Sequence, residues 1–318
     1  MRVRFRGVEK REALLIDGPC GWGEFAPFVE YSDAEAARWL AAALEASYGT
    51  WPAPVRDAVP VNATVPAVGT GQVAAVLARF DGCTTAKVKV AEAGQTLADD
   101  LDRVAAVRAA MGERARLRVD ANGGWSVDDA LRALTRLAPY DLEYAEQPCA
   151  TVEELAELRR ALARNGTDVP IAADESIRKA DDPLRVARLG AADIIVVKVA
   201  PLGGVTRALE IVEACGLPAV VSSALDTSVG ISAGVALASA LPELEHACGL
   251  GTVGLFTSDV AVPTLRPVGG VLLPRRVRPD PAALADLSAP PDRQAWWWDR
   301  LARCLALVGA GPVPQPPG

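Results

Sequence analysis

The sequence predicts an α/β protein built on a parallel (β/α) barrel, and three observations carry that expectation. Eight short apolar runs rich in β-branched residues begin 23 to 31 residues apart between residues 59 and 251. Ala/Leu/Arg-rich stretches of helical period separate them. No GxGxxG follows an early run, which argues against an open doubly wound sheet. The runs are VPVNATV (59–65), TAKVKVA (85–91), RLRVDAN (116–122), LEYAEQP (142–148), PIAADES (170–176), DIIVVKV (193–199), LPAVVSS (217–223) and EHACGLG (245–251). Between them, TLADDLDRVAAVRAAMG (96–112) and SVDDALRALTRLA (126–138) read as amphipathic helices. Ser126 begins the second, and Asp128 and Asp129 fall in its first turn, where the helix dipole favours them.

The flanks do not follow the repeat. Residues 1–58 hold strand-like pieces (2–5 and 13–16), a Gly/Pro-punctuated loop (20–32) and a helical run from 33 to about 47. After about residue 270 the pattern stops again. A helical run at 292–308 contains WWW and is expected to pack back on the N-terminal segment, with the tail GAGPVPQPPG (309–318) disordered. The chain thus divides into 1–58, a barrel over 59–270, and 271–318.

Composition excludes several classes. Half of the 318 residues are hydrophobic and 23% are charged, enough for a large core. No apolar run approaches the roughly 18 residues of a membrane span. A net charge of −7 argues against nucleic acid or an anionic membrane as partner. The start, MRVRFRGVEKRE, lacks a signal-peptide core, so a cytoplasmic protein is expected. Six widely spaced cysteines read as reduced thiols. A monomer and a homo-oligomer both fit.

Only five of the 33 basic residues are lysine: Lys10, Lys87, Lys89, Lys179 and Lys198. Arginine supplies the rest, so the lysines mark places where an amine is needed; an amine can release its proton and a guanidinium effectively cannot. Barrel sites form at the C-terminal strand ends. Lys87 and Lys89, two apart, share one face of run 2. Run 3 ends in Asp120, run 4 in Glu146, run 5 in Asp174 beside Glu175, and run 6 in Lys198. One such Asp is usually a cap or an ion-pair partner. Three carboxylates converging from consecutive strands repel, and stay ionised only around a cation. All-oxygen donors suit Mg²⁺, with Mn²⁺ as a substitute, rather than zinc. The set suits a carboxylate substrate: a lysine takes the proton beside the carboxylate, and metal and lysine hold the enediolate charge. His246, near the start of run 8, reads as structural. The pair Gly203–Gly204 is a weak candidate for phosphate binding.

The motifs AKVKV (86–90), RVDANGGW (118–125), EYAEQP (143–148), IAADES (171–176) and IIVVKVAPLGG (194–204), with GWGEFAPF (21–28), resemble the muconate-lactonising subgroup of the enolase superfamily over nearly the whole chain. The resemblance implies a (β/α)₇β barrel under an α+β capping domain made from both termini, with residues 21–32 closing the mouth. It implies Asp120, Glu146 and Asp174 as Mg²⁺ ligands, Lys89 as base, Lys198 as the lysine on the other face, and Lys87 on the substrate carboxylate. SSALDTSVG (222–230) and GLGT (249–252), where Gly251 replaces a usual Asp, are similar to the subgroup's dehydratases. Ser222, Ser223, Gly251, Thr252 and, from the N-terminal loop, Phe25 are then expected substrate contacts. The implied reaction is a dehydration. Racemisation or epimerisation of an N-acylamino acid or dipeptide in the same fold, a Schiff-base aldolase and a non-catalytic binding barrel are the alternatives.

Overall fold

The computed structural model of the chain describes residues 1–3, 5, 7–179 and 182–308; the tail expected to be disordered lies outside them. The N-terminal elements are β1 (Leu14–Gly18), β2 (Gly21–Phe25) and α1 (Asp33–Tyr48). The short β3 (Val59–Pro60) leads into the repeat: β4 (Ala63–Val65), α2 (Val73–Leu77), β5 (Thr85–Lys89), α3 (Leu97–Met111), β6 (Arg116–Asp120), α4 (Val127–Leu137), β7 (Leu142–Glu146) and α5 (Val152–Asn165). It continues with β8 (Ile171–Ala173), α6 (Glu175–Arg178), α7 (Arg185–Arg188), β9 (Ile194–Val197), α8 (Val199–Leu202), α9 (Val205–Cys215), β10 (Ala219–Val221) and α10 (Ser228–Ala240). β11 (Val271–Leu272), α11 (Pro281–Asp286) and α12 (Pro291–Val308) follow.

Strands β4 to β10 form one parallel sheet in sequence order. The eighth run makes no full strand but closes the sheet on itself. Cys248 bridges Val61, and Gly249 bridges Ser222. The seam is carried by Asn62 N–H to Cys248 O (2.9 Å) and Gly249 N–H to Val221 O (2.8 Å). The result is a (β/α)₇β barrel. Alternation sorts the side chains: Tyr144, Ala172, Ile194, Val196 and Val220 form an interior cluster, while Ile195, Val197 and Val199 pack outward with the helices. Ser126 caps α4 by accepting from Asp129 N–H.

The lower end of the barrel is sealed by charge. Fully buried Arg118 donates through Nε to Glu143 (2.5 Å) and through Nη1 to Ala247 O (2.6 Å), and its guanidinium stacks 4.7 Å from the Tyr144 ring. His246 Nδ1 lies 2.8 Å from the same Glu143. His246 therefore belongs to this plug, at the end away from the carboxylates.

The N-terminal segment differs from the arrangement expected of it. Among the described residues of 2–5, Phe5 makes a single bridge to Val8, and the first half of the expected loop is the strand β2, paired antiparallel with β1. Gly23 is what allows β2 to lie on α1, since a Cβ there would sit 2.0 Å from Ala43 O. The remaining loop, 26–31, runs into the capping box of Ser32 and Glu35. Helix α12 packs along α1, with Phe25, Trp39, Leu40, Trp297 and Cys304 buried between them.

Two carboxylates tie these terminal elements to the barrel. Glu45 of α1 accepts from Val205 N–H (2.5 Å) and Thr206 N–H (3.0 Å) at the start of α9. Glu24 of β2 accepts from Thr227 N–H (3.1 Å) and Gly230 N–H (2.9 Å) at the start of α10. The helix start beside Gly203–Gly204 is thus filled by a side chain of the protein itself. A Cβ at Gly204 would lie 2.5 Å from Glu45, so this carboxylate stands where a phosphate would have to bind.

Candidate active site

Register brings the chemical residues together. Lys89, Asp120 and Glu146 are partners across β5, β6 and β7, so they stand side by side at the upper rim. Lys87 stands one inward step lower, in the row of Thr64, Arg118 and Tyr144. Asp174 follows β8 directly and Lys198 follows β9. Gln147 pins two of these ends: its side-chain oxygen accepts from Asp174 N–H (2.9 Å) and Ser176 N–H (3.2 Å).

All six side chains are buried, and each carboxylate faces a cation. Lys87 Nζ donates to Glu146 (2.8 Å) and lies 3.0 Å from Asp120. Lys89 Nζ donates to Asp120 (2.5 Å) and to Asn122 Oδ1. Lys198 Nζ donates to Asp174 (2.6 Å), which also accepts from Arg178 Nε (3.2 Å). Arg178 Nη2 donates to Glu175 (2.6 Å). Four cations thus stand against four carboxylates.

The balance is uneven from group to group. Burial and then the Asp120 charge push Glu146 up to about 7, with Lys87 only partly opposing. Burial also acts against Asp120, but Lys87 and Lys89 overcome it and hold that carboxyl well below the usual range. Asp174 is likewise held low against burial, by Lys198 and Arg178. Burial lowers Lys198, with Asp174 opposing.

Among the described residues, no three His, Cys, Asp or Glu side chains are gathered into a ready metal cage. The reason is visible in the pairing: ammonium groups occupy the space between the carboxylates. The donor set itself fits a hard divalent cation, because Asp120, Glu146 and Asp174 offer only oxygen from three adjacent strand ends. Glu146 is raised first by its burial and then by the neighbouring Asp120 charge, so a cation beside it would favour its ionised form.

A small cavity of about 30 Å³ lies above this cluster, lined by Lys87, Lys89, Asp120, Lys198, Ser222, Ser223 and Thr252. Ser223 and Thr252 hydroxyls are 2.6 Å apart. The volume suits a water molecule and no organic substrate, so a substrate enters only if groups around the cavity move. Two expected contacts lie elsewhere. Phe25 is fully buried in the capping core, edge-on to Trp297 at 5.7 Å, and Phe28 lines the cavity in its place. Gly251 faces Phe80 and Asn62 O on the far side of the turn, and Gly249 lines the cavity instead. Sequence reasoning missed Asn122 and Arg178, which also line it; Asn122 holds a left-handed backbone (φ 48°) two residues after the β6 aspartate, a signal in the AN of VDAN.

Comparison with known proteins follows the same outline. Residues 72–279 match the enolase C-terminal domain-like family, and residues 1–47 match the enolase N-terminal domain-like family. The chain belongs to the enolase superfamily. Among its superfamily relatives, the o-succinylbenzoate synthase of Mycolicibacterium smegmatis is 62% identical over 97% of this chain and 94% of its own length. That of Mycobacterium tuberculosis is 60% identical over 97% and 92%. Among solved structures, a muconate lactonizing enzyme from Pseudomonas fluorescens, complexed with muconolactone, superposes with a TM-score of 0.64 at 27% identity, covering 73% of this chain and 64% of that one. The L-Ala-D/L-Glu epimerase from Bacillus subtilis shares the fold, with a TM-score of 0.68 at 23% identity over 81% and 86%. Enolase-superfamily enzymes depend on a divalent metal ion. No helix among the described residues is long and apolar enough to cross a membrane.

Proposed function

We propose that the chain is an o-succinylbenzoate synthase, a lyase that dehydrates 2-succinyl-6-hydroxy-2,4-cyclohexadiene-1-carboxylate to o-succinylbenzoate and water in menaquinone biosynthesis. The observation that carries this reading is 62% identity across 97% of the chain to an enzyme of that name. The paired lysines and buried carboxylates at the barrel mouth supply the chemistry it needs. Six free cysteines suit a reducing cytoplasm.

Asp120, Glu146 and Asp174 are the residues to hold the metal, Mg²⁺ by the nature of its oxygen donors. A divalent cation there would neutralise the substrate carboxylate as its α-proton leaves and draw the Asp120 charge away from Lys89. Its two positive charges would be matched by the negative charges of a dicarboxylate substrate, since the cluster itself is balanced. Lys89, as the free amine, takes the proton from the ring carbon bearing the carboxylate. The electron pair moves into the carboxylate as an enediolate, and Lys198, as ammonium held by Asp174, stabilises it from the other face. The enediolate then expels the ring hydroxyl, to which Lys89 returns the proton, so water leaves and the ring becomes aromatic. One lysine serves both steps because proton and hydroxyl leave from one face. Lys87, Ser222, Ser223 and Thr252 border the space where the substrate carboxylates must lie.

The discriminating experiment offers the metal-loaded enzyme the cyclohexadiene carboxylate and an N-acylamino acid, separately, in D₂O. Rapid gain of aromatic absorbance with the first, and slow or no deuterium entry into the second, is the expected result. Fast deuterium entry into the amino acid without dehydration would make the chain a racemase or epimerase.

A further inference from the structure

The proposed base does not stand alone: it is one end of a chain of hydrogen bonds that reaches the capping loop. Lys89 Nζ donates to Asn122 Oδ1. Asn122 Nδ2 donates to Glu175 Oε1 (3.2 Å), and the same oxygen accepts from Arg178 Nη2 (2.6 Å). Arg178 Nη1 donates to Tyr31 Oη (2.9 Å). Four side chains, from the turn after β6, from α6 and from the N-terminal loop, thus link residue 31 to residue 89.

Each member is placed at some cost, which the linkage offsets. Asn122 adopts the left-handed region at φ 48°, where side chains other than Gly are uncommon, and its own N–H bonds Asp120 Oδ1 at 3.1 Å. Arg178 is 4% exposed, and three of its nitrogens are committed to Asp174, Glu175 and Tyr31. Tyr31 is gripped from both sides: Lys179 Nζ lies 4.8 Å over its ring, Phe28 and Trp39 meet it edge-on, and Arg300 of α12 donates to its carbonyl at 2.5 Å. Phe28, three residues earlier, lines the reaction cavity. A loop that opens to admit substrate carries Tyr31 with it and breaks the last bond of the chain.

We propose that Asn122, Glu175, Arg178 and Tyr31 are positioning residues that align the Lys89 amine only when the capping loop is closed. Proton abstraction is thereby confined to the state in which water is excluded from the enediolate. This rests on the reading of Lys89 as the base. Glu175, next to Asp174, has a role apart from metal binding: its carboxylate turns towards Asn122 and Arg178.

The coupling is reciprocal, so it is testable from both ends. Tyr31→Phe removes one hydroxyl and keeps the ring. It should lower kcat about tenfold with little change in KM, and raise the isotope effect on kcat for substrate deuterated at the abstracted position, because misalignment makes proton transfer slower. Loss of loop packing alone would raise KM and leave the isotope effect unchanged. From the other end, Glu175→Gln keeps an oxygen for Asn122 but weakens the hold on Arg178. Amide exchange across residues 28–32, measured without substrate, should quicken several-fold. The double variant should lose less than the product of the single losses. Unchanged exchange together with multiplicative losses would overturn the relay. If the wild type fails to dehydrate the cyclohexadiene carboxylate, the proposed function falls while the exchange measurement still decides the linkage.

Discussion

Two substitutions in the carboxylate cluster should move stability in opposite directions. In metal-free enzyme, Asp120 is the anion shared by Lys87 and Lys89, at 3.0 and 2.5 Å. Asp120→Asn leaves two buried ammonium groups with less compensation, and breaking a buried pair costs about 3–5 kcal/mol. Glu146 is the reverse case, its titration raised from 4.5 to about 7. Its ionisation therefore costs stability that is intact below pH 4.5 and lost as the pH rises through 7. At about 1.36 kcal/mol per pH unit the loss is roughly 3 kcal/mol at most. Glu146→Gln at pH 8 should be neutral or stabilising by about 1–3 kcal/mol. Urea denaturation in EDTA, followed by the fluorescence of the seven tryptophans, gives both values. Adding Mg²⁺ should raise the midpoint of the wild type and not that of Glu146→Gln. Equal destabilisation by the two variants, or the reverse order, would refute the charge balance drawn from these distances.

Three further outcomes are expected. Lys89→Arg keeps a charge that cannot be given up and should lower turnover by about 10²–10⁴, whereas Lys198→Arg should keep a measurable fraction if Lys198 acts only as a cation; steady-state dehydration rates compare them. Phe25→Ala should cost about 3–5 kcal/mol in urea denaturation with KM unchanged, since the ring packs on Trp297 outside the cavity. Burial acts against Glu143, but His246 and Arg118 prevail and hold it down from 4.5 to about 2. Its contribution is complete above pH 4.5 and lost as the pH falls towards 2, so the stability gap between wild type and Glu143→Gln should narrow from pH 6 to pH 3.

The barrel and the gathering of the lysines and carboxylates at its mouth were legible because period-2 alternation fixes which side chains enter the interior. Ile194, Val196 and Lys198 share a parity, and that parity is the interior one. Partners across elements were not legible. Phe25 and Phe28 lie three apart in one motif and the strand ends between them, so the motif alone does not say which ring faces the cavity. Glu45 fills the start of α9 from 160 positions away, and Arg178 meets Tyr31 from 147 away. Local pattern gives the direction of a side chain within its element. It does not give what the tertiary fold sets in front of it.

Metal-assisted dehydration by a lysine base is decided by the rate with and without metal. Enzyme stripped with EDTA is mixed with 2-succinyl-6-hydroxy-2,4-cyclohexadiene-1-carboxylate, and the aromatic product is followed by absorbance before and after Mg²⁺ is added. Turnover should be lost in EDTA and return in full with Mg²⁺ or Mn²⁺, in wild type and not in Glu146→Gln. Undiminished turnover in the stripped enzyme would contradict that mechanism.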